Sequence, residues 1–329
     1  MGFRKGRQYA TTWYNRGLHG PSGKYSRIEC FDEALKRDPE YKEAWYEKGL
    51  RYDREPEEAV KCFDKVIALD PKYEDVWYKK GKALSSLEKY EEAIECFDKV
   101  IALDPKREDL WHMKGKALSG LKKYKEAIEC FDKVTPRHRR DRHDSYGSEV
   151  WTSKGDALSG LDDVKKAVKC YDKATRLNDR NGWAWYKKGN AHANDLYEYE
   201  EAVKCFDEAI KYNYNMPTAQ AYSWYNKGNC LSEGAGNDTK EVIKCFENAI
   251  DILDRAMKDY PDQFANAENL VDKADYIKSL YHEWASEALA IYGEAEKLDP
   301  SLHEEIKDRK RRMYKFNVLG GSPELHKNY

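Results

Sequence analysis

A chain of 329 residues with 36% charged residues, a net charge of -2 and a mean hydropathy of -0.96 can bury a large core. No stretch of it approaches the ~20 apolar residues that a membrane span needs. The start, MGFRKGRQYA, has no apolar segment of a secretory signal, so the expectation is a cytoplasmic protein with no membrane partner. The charge is unevenly spread: residues 1–7, 135–143 and 307–315 carry +3, +3 and +5, which leaves about -13 on an otherwise acidic body.

Along the chain, Trp recurs at 13, 45, 77, 111, 151, 185 and 224, and Cys at 30, 62, 96, 130, 170, 205 and 245. Two residue types keep one period near 34 residues, which marks a repeat architecture. The first unit, near 10–41, holds Trp13, Gly17, Cys30, Phe31, Ala34 and Pro39; the second, near 42–73, holds Trp45, Gly49, Ala59, Phe63 and Pro71. In the third, near 74–107, Trp77, Gly81 and Leu84 stand at i, i+4 and i+7 and predict the buried face of one helix. Tyr90, Ala93, Phe97 and Val100 predict the buried face of a second. The small residues Gly81 and Ala93 let the two approach, and Asp104-Pro105 stops the second helix, because proline donates no backbone bond and forces its predecessor out of the helical region.

The fourth unit, near 108–147, has Trp111, Gly115, Ala127 and Phe131, then an insertion opened by Pro136; the fifth, near 148–181, has Trp151, Gly155, Ala167 and Tyr171. The sixth, near 182–220, has Trp185, Gly189, Ala202 and Phe206 and ends in a second insertion over 213–220; the seventh, near 221–262, has Trp224, Gly228 and Phe246. A degenerate eighth, 264–300, puts Leu270 in the Trp place, followed by Ala274, Ala288, Tyr292, Ala295 and Pro300. Residues 301–317 predict a polar capping helix and 318–329 a flexible tail.

This pattern resembles the tetratricopeptide repeat, in which Trp, Leu-Gly, Tyr, Ala, Phe, Ala and Pro recur at fixed offsets. The resemblance implies an all-α, right-handed superhelical solenoid of about eight helix pairs plus a capping helix. In style the repeats look like those of archaeal scaffold proteins of this family. The function it implies is a non-enzymatic scaffold or adaptor that binds a peptide or partner protein in a concave groove, with self-association as a further possibility.

The cysteines raise the question of chemistry. Metal ligands come in close sets such as Cys-x-x-Cys, whereas each phased cysteine here stands alone, just before the Phe or Tyr of a second helix. Equivalent positions in neighbouring repeats lie on the order of 10 Å apart, beyond the ~7 Å limit for a disulfide. The expectation is reduced thiols packed in a core; Cys230 alone breaks the phase and is the one to test for reactivity. His138 and His143 sit in an arginine-rich loop with no further ligands. No phosphate-binding loop, dinucleotide fingerprint, zinc-protease helix or nucleophile elbow occurs. No catalytic residue, cofactor or metal is therefore expected.

Family resemblance places partner contacts at repeat positions 2, 5, 9 and 12, counting Trp as 4. The steps of 3, 4 and 3 make a second helical stripe beside the buried one. In repeats 6 and 7 this stripe holds Trp183, Tyr186, Asn190, Tyr222, Tyr225 and Asn229, rigid apolar walls with carboxamides for a peptide backbone. In repeats 3 and 4 it holds Tyr78, Lys82, His112 and Lys116, with Asp75 and Asp109, a secondary groove suited to an acidic or mixed-charge segment. Chaperone-binding members of the family clamp a terminal carboxylate with Lys, Asn and Arg. Asn190 and Asn226 match the two Asn places, but Tyr186 replaces a Lys, and Glu268 and Asp272 stand where cations belong. Two carboxylates would repel that ligand, so the full clamp is rejected. A nucleic-acid role for the basic 137–143 loop and 307–315 helix is the alternative reading, made less favourable by the acidic body.

Overall fold

The computed structural model describes residues 2–20, 25–134, 144–213, 216–235, 239–259, 271–273, 275, 285–302, 304, 306 and 307. The basic 137–143 loop, nearly all of 307–315, Glu268, the tail and most of the degenerate unit lie outside them. The chain forms two compact units, residues 1–137 with 156–163, and residues 138–155 with 164–329. No β-strand occurs among the described residues, and none of their helices is long and apolar enough to cross a membrane. The fold is an all-α repeat of helix pairs.

In the first unit the helices are α1 (Gly2–His19), α2 (Arg27–Arg37), α3 (Lys42–Gly49), α4 (Pro56–Leu69), α5 (Glu74–Ser86), α6 (Tyr90–Leu103), α7 (Glu108–Gly120) and α8 (Tyr124–Asp132). Helix α9 (Ser145–Ser159) carries the boundary between the units. The second unit contains α10 (Val164–Leu177), α11 (Gly182–Asn190), α12 (Tyr199–Tyr212), α13 (Pro217–Cys230), α14 (Thr239–Asp259) and α15 (Ala285–Leu298).

Within each pair the helices meet where an aromatic ring lies on a glycine. A Cβ added at Gly49, Gly81 or Gly115 would stand 2.7, 2.6 or 2.5 Å from a ring carbon of Phe63, Phe97 or Phe131. In the second unit Gly155, Gly189 and Gly228 meet Tyr171, Phe206 and Phe246 in the same way. In repeats 2 to 7 the position before the Trp is the buried one: Ala44, Val76, Leu110, Val150, Ala184 and Ser223, whereas Thr12 before Trp13 is exposed. The Trp rings are themselves only half-buried, which corrects the simple stripe drawn from the sequence. Their indole N–H reaches back six residues to the turn, from Trp45 to Pro39 O, Trp77 to Pro71 O, Trp111 to Pro105 O and Trp185 to Asp179 O, at 2.8, 2.9, 3.0 and 2.9 Å. In these turns Asp38, Asp70 and Asp104 accept the backbone N–H two residues on, closing the bend after each second helix.

In repeats 2, 3, 4, 6 and 7 a lysine three residues after the Trp ties the repeat to the one before. Lys48, Lys80 and Lys114 bond Asp32, Asp64 and Asp98 at 2.7, 2.6 and 2.6 Å, and Lys188 and Lys227 bond Asp172 and Asp207 at 2.9 and 2.8 Å. Each ammonium also lies over its own Trp ring, 5.3 to 5.9 Å from the centroid, so it makes a salt bridge and a cation–π contact together. Lys273 bonds Asp254 at 2.7 Å, the place the degenerate unit's register assigns to such a lysine.

Both insertions contribute helix. Helices α3, α5, α7 and α11 begin three residues before their Trp, whereas α9 begins six and α13 seven residues before Trp151 and Trp224. Trp and Cys are 19 residues apart in repeats 3 to 5 but 20 and 21 apart in repeats 6 and 7. The one or two extra residues are taken up by π-helical turns at Ala191–Asp195 and Leu231–Ala235, a common solution to an insertion within a helix.

All eight cysteines are buried free thiols, Cys230 included. Burial pushes Cys62, Cys96, Cys230 and Cys245 up to about 11 and Cys205 up to about 12; Lys48 beside Cys62 and Lys80 beside Cys96 pull the other way without prevailing. These thiols are therefore protonated at neutral pH and poor nucleophiles. Among the described residues no group of three His, Cys, Asp or Glu is arranged to hold a metal.

Two outcomes follow. Trp77→Ala removes ring contacts and the tether to Pro71, and should cost about 2–4 kcal/mol; Trp77→Phe keeps most of the packing and should cost about 1–2 kcal/mol. Urea unfolding followed by circular dichroism measures both, and equal losses would show that the indole N–H contributes nothing. Native protein at pH 8 should leave all eight thiols unlabelled by a disulfide reagent, with all eight reacting once it is unfolded. Because the folded pKa values lie above the ordinary value of 9.0, the stability they carry is complete below pH 9 and declines as pH rises towards 11, as a urea midpoint series would record.

Candidate functional site

The predicted residues of repeats 6 and 7 lie in the second unit, on α11 and α13. Gly182 starts α11 against the side chain of Asn213, where any Cβ would stand 2.4 Å from Oδ1, and Asn181 caps the helix by accepting from Ala184 N. This start places Trp183 at the surface, 38% exposed. Its ring stacks on Tyr186 at 5.2 Å with an interplanar angle of 28°, and the Lys187 ammonium lies 4.9 Å from its centroid.

Tyr186 continues the aromatic run to Tyr222 of the next repeat at 6.4 Å. The Tyr222 hydroxyl donates to Asp272, so a carboxylate holds the ring where the rejected clamp would require a cation. Asn226 donates to Asn190 Oδ1 at 3.0 Å, joining the two repeats. The bond leaves the Asn190 amide hydrogens and the Asn226 carbonyl oxygen facing other partners. Asn229 is half-buried one turn further along α13. The structure thus brings Trp183, Tyr186 and Tyr222 into one aromatic run and Asn190 with Asn226 into one amide pair.

Part of this lining also belongs to the repeat itself. Tyr186 and Tyr225 lean on Phe206 and Phe246 at 6.2 and 5.6 Å, as Tyr14 and Tyr46 lean on Phe31 and Phe63 at 6.0 and 6.2 Å. The fifth position is a packing position throughout. What repeat 6 adds is Trp183 at the second position, where the second, third and fourth repeats carry Glu43, Asp75 and Asp109.

In the first unit the secondary set divides. Tyr78 is ringed by cations, with Lys79, Lys82 and Arg107 at 5.8, 5.8 and 5.2 Å from its centroid, and Arg107 is itself held by both oxygens of Asp109 at 3.3 and 2.7 Å. Lys82 and Lys116 are exposed. His112 is not part of any surface lining: it is fully buried, 5.9 Å from the Phe131 ring. The imidazole is shorter than the phenol that stands at this position in other repeats, so it settles into the core instead of reaching the surface. The repeat register could not show this, because it assigns a position and not the reach of the side chain that fills it.

Family models described as tetratricopeptide repeat match residues 74–107, 108–135, 148–181 and 184–216. Among solved structures, a tetratricopeptide repeat protein from Parabacteroides merdae is similar with a TM-score of 0.55 at 12% identity, over 76% of this chain and 93% of that one. The C-terminal part of a repeat-containing protein from Cytophaga hutchinsonii gives 0.54 at 14% identity, over 74% and 94%. PilF of Pseudomonas aeruginosa gives 0.50 at 18% identity, over 69% and 94%. No curated protein matches the chain.

Proposed function

Because the chain carries tetratricopeptide repeats, we propose that it is an interaction scaffold that holds an extended peptide segment of a partner protein on the α11–α13 face, in the cytoplasm, and performs no reaction of its own. The observation that carries this reading is the Trp183–Tyr186 stack, in which Trp183 is exposed at a position where the second, third and fourth repeats hold a carboxylate. A large ring held at the surface by its neighbour loses little entropy on binding, and such rings dominate protein interfaces. The amides of Asn190, Asn226 and Asn229 supply donors and acceptors for a peptide backbone beside it.

The rest of the chain supports a holding role. Its thiols are buried, and many of its surface carboxylates are engaged with lysines along the repeat. The Tyr78 face, with Lys79, Lys82 and Arg107, suits a segment carrying carboxylates.

Display of random dodecamer peptides against the immobilised protein tests the main face. Peptides enriched by the wild-type chain should contain apolar or aromatic side chains and should be lost, by about tenfold or more in affinity, on Trp183→Ala combined with Asn229→Ala, with helicity unchanged. This pair is preferable to substitution of Tyr186 and Tyr225, whose rings also pack against Phe206 and Phe246. Enrichment that survives the double substitution would place the binding face elsewhere.

A further inference from the structure

The turn between α11 and α12 departs from its counterparts in a way that folding does not require. In repeats 3, 4 and 5 this turn passes through a left-handed residue, Glu88, Lys122 and Asp162, with φ of 58, 58 and 60°. In repeat 6 the left-handed residue is Tyr197, φ 56° and 70% exposed. An aromatic residue is disfavoured in this backbone region, and its ring here gains little burial in return.

Tyr197 instead forms the wall of a cavity of about 540 Å³ lined by Tyr197, Glu198, Tyr199, Glu200, Glu201, Lys204 and Gly234. The rings of Tyr197 and Tyr199 meet almost at right angles, 77° apart with centroids at 6.5 Å. Gly234, on the π-helical turn of the next repeat, is what admits the second ring: a Cβ there would stand 2.7 Å from Tyr199 Cδ2. The two extra residues of repeat 7 and the one of repeat 6 thus shape the walls of this corner.

Its charge is fixed from behind. Glu198 accepts from or bonds to Nδ1 of the buried His192 at 2.7 Å, and the backbone N–H of Glu198 donates to the carbonyl of the same His192 at 2.8 Å. His192 is only 7% exposed and its Nε2 is buried without a partner among the described residues. Glu201 is engaged with Lys204 at 3.0 Å. Glu200 has no ion-pair partner among the described residues and is exposed at the rim. Three carboxylates against one ammonium, beside two ring faces, make an environment that favours a cation. Burial and then the nearby Glu233 raise the Tyr199 hydroxyl above its ordinary value, in keeping with that negative field.

We propose that this corner binds the ammonium head of a lysine side chain presented by a partner protein. A compact ammonium fits between crossed rings, whereas a planar guanidinium is best served by stacking flat on one face. The site stands apart from the Trp183 face: Trp183 and Asp195 are 12 residues apart on α11 and its π-helical extension, roughly 18 Å at 1.5 Å per residue. It therefore does not depend on the peptide reading above.

The test uses the full chain and three small probes, N-acetyl-lysine methylamide, its Nε-trimethyl derivative and the neutral N-acetyl-norleucine methylamide, titrated by NMR with the tyrosine ring signals as readout. Either cationic probe should shift the Tyr197 and Tyr199 signals and bind at least tenfold more tightly than the neutral one. Tyr197→Ala and Glu200→Gln, both at exposed positions, should each weaken that binding at least fivefold with unchanged helicity, while Trp183→Ala should leave it intact. Equal affinity for the neutral probe, or cation binding unaffected by Tyr197→Ala, would overturn the assignment.

Discussion

The fold depends on one repeated contact, an aromatic ring of the second helix seated on a glycine of the first. Seven repeats make it, from Gly17 with Phe31 to Gly228 with Phe246. The distances from an added Cβ, 2.5 to 2.8 Å, lie well inside ordinary van der Waals separation, so no other residue type keeps the helices at this spacing. Everything else in a repeat is placed by that seat. The buried residue before the Trp of repeats 2 to 7 packs into the core, and the cysteine beside each aromatic ring is buried as a small apolar side chain.

Between repeats the work passes to polar groups. The Trp N–H holds the turn, and the lysine one turn later reaches back to an aspartate of the previous pair. These lysine side chains keep only a tenth to a fifth of their surface exposed, while their aspartates keep a third to a half. Such half-exposed pairs carry modest energy singly, yet each is fixed by the Trp ring beneath it, and that fixes the register of the stack. For Lys188, burial disfavours the ammonium, but its bond to Asp172 leaves it above its ordinary value, so this pair stays charged throughout the physiological range. Repeats secured in this way leave position 2 less constrained, and the chain varies there, from Glu43, Asp75 and Asp109 to Trp183 and Tyr222.

Much of this was legible in the sequence, and the reason is repetition. Trp and Cys on one period, with Gly and Phe at fixed offsets, define a helix pair more firmly than any single amphipathic stripe could. Position 3 escaped the reading because Ala44, Ala184 and Ser223 are too small or too polar to stand out as core, although they are fully buried. His112 misled for the opposite reason: it occupies a surface-reaching position with a side chain too short to reach. The π-helical turns were present in the numbers, as a Trp-to-Cys distance that grows from 19 to 20 and 21. A count of residues cannot tell an enlarged loop from an extra residue absorbed inside a helix, and only the backbone hydrogen bonds separate the two.

Departures from the pattern carry more functional information than the pattern, because a repeat constrained by packing returns to the same residues wherever nothing else acts on it. Most departures in the first unit are exchanges among charged residues at exposed sites, which solvent tolerates. Those of repeat 6 run against folding preference: a tryptophan left at the surface where a carboxylate would dissolve better, and a tyrosine in a left-handed turn that aspartate fills at lower cost in repeat 5. Both lie on or next to the helix lengthened by a π-helical turn. Residues held against their local preference need a compensating gain; part of it lies in the Trp183 stack on Tyr186 and the contact of Tyr197 with Tyr199, yet both rings keep exposed surface. Under the proposed function, the exposed remainder of these rings is what a partner would cover, so the cost of leaving them at the surface is offset only in the bound state.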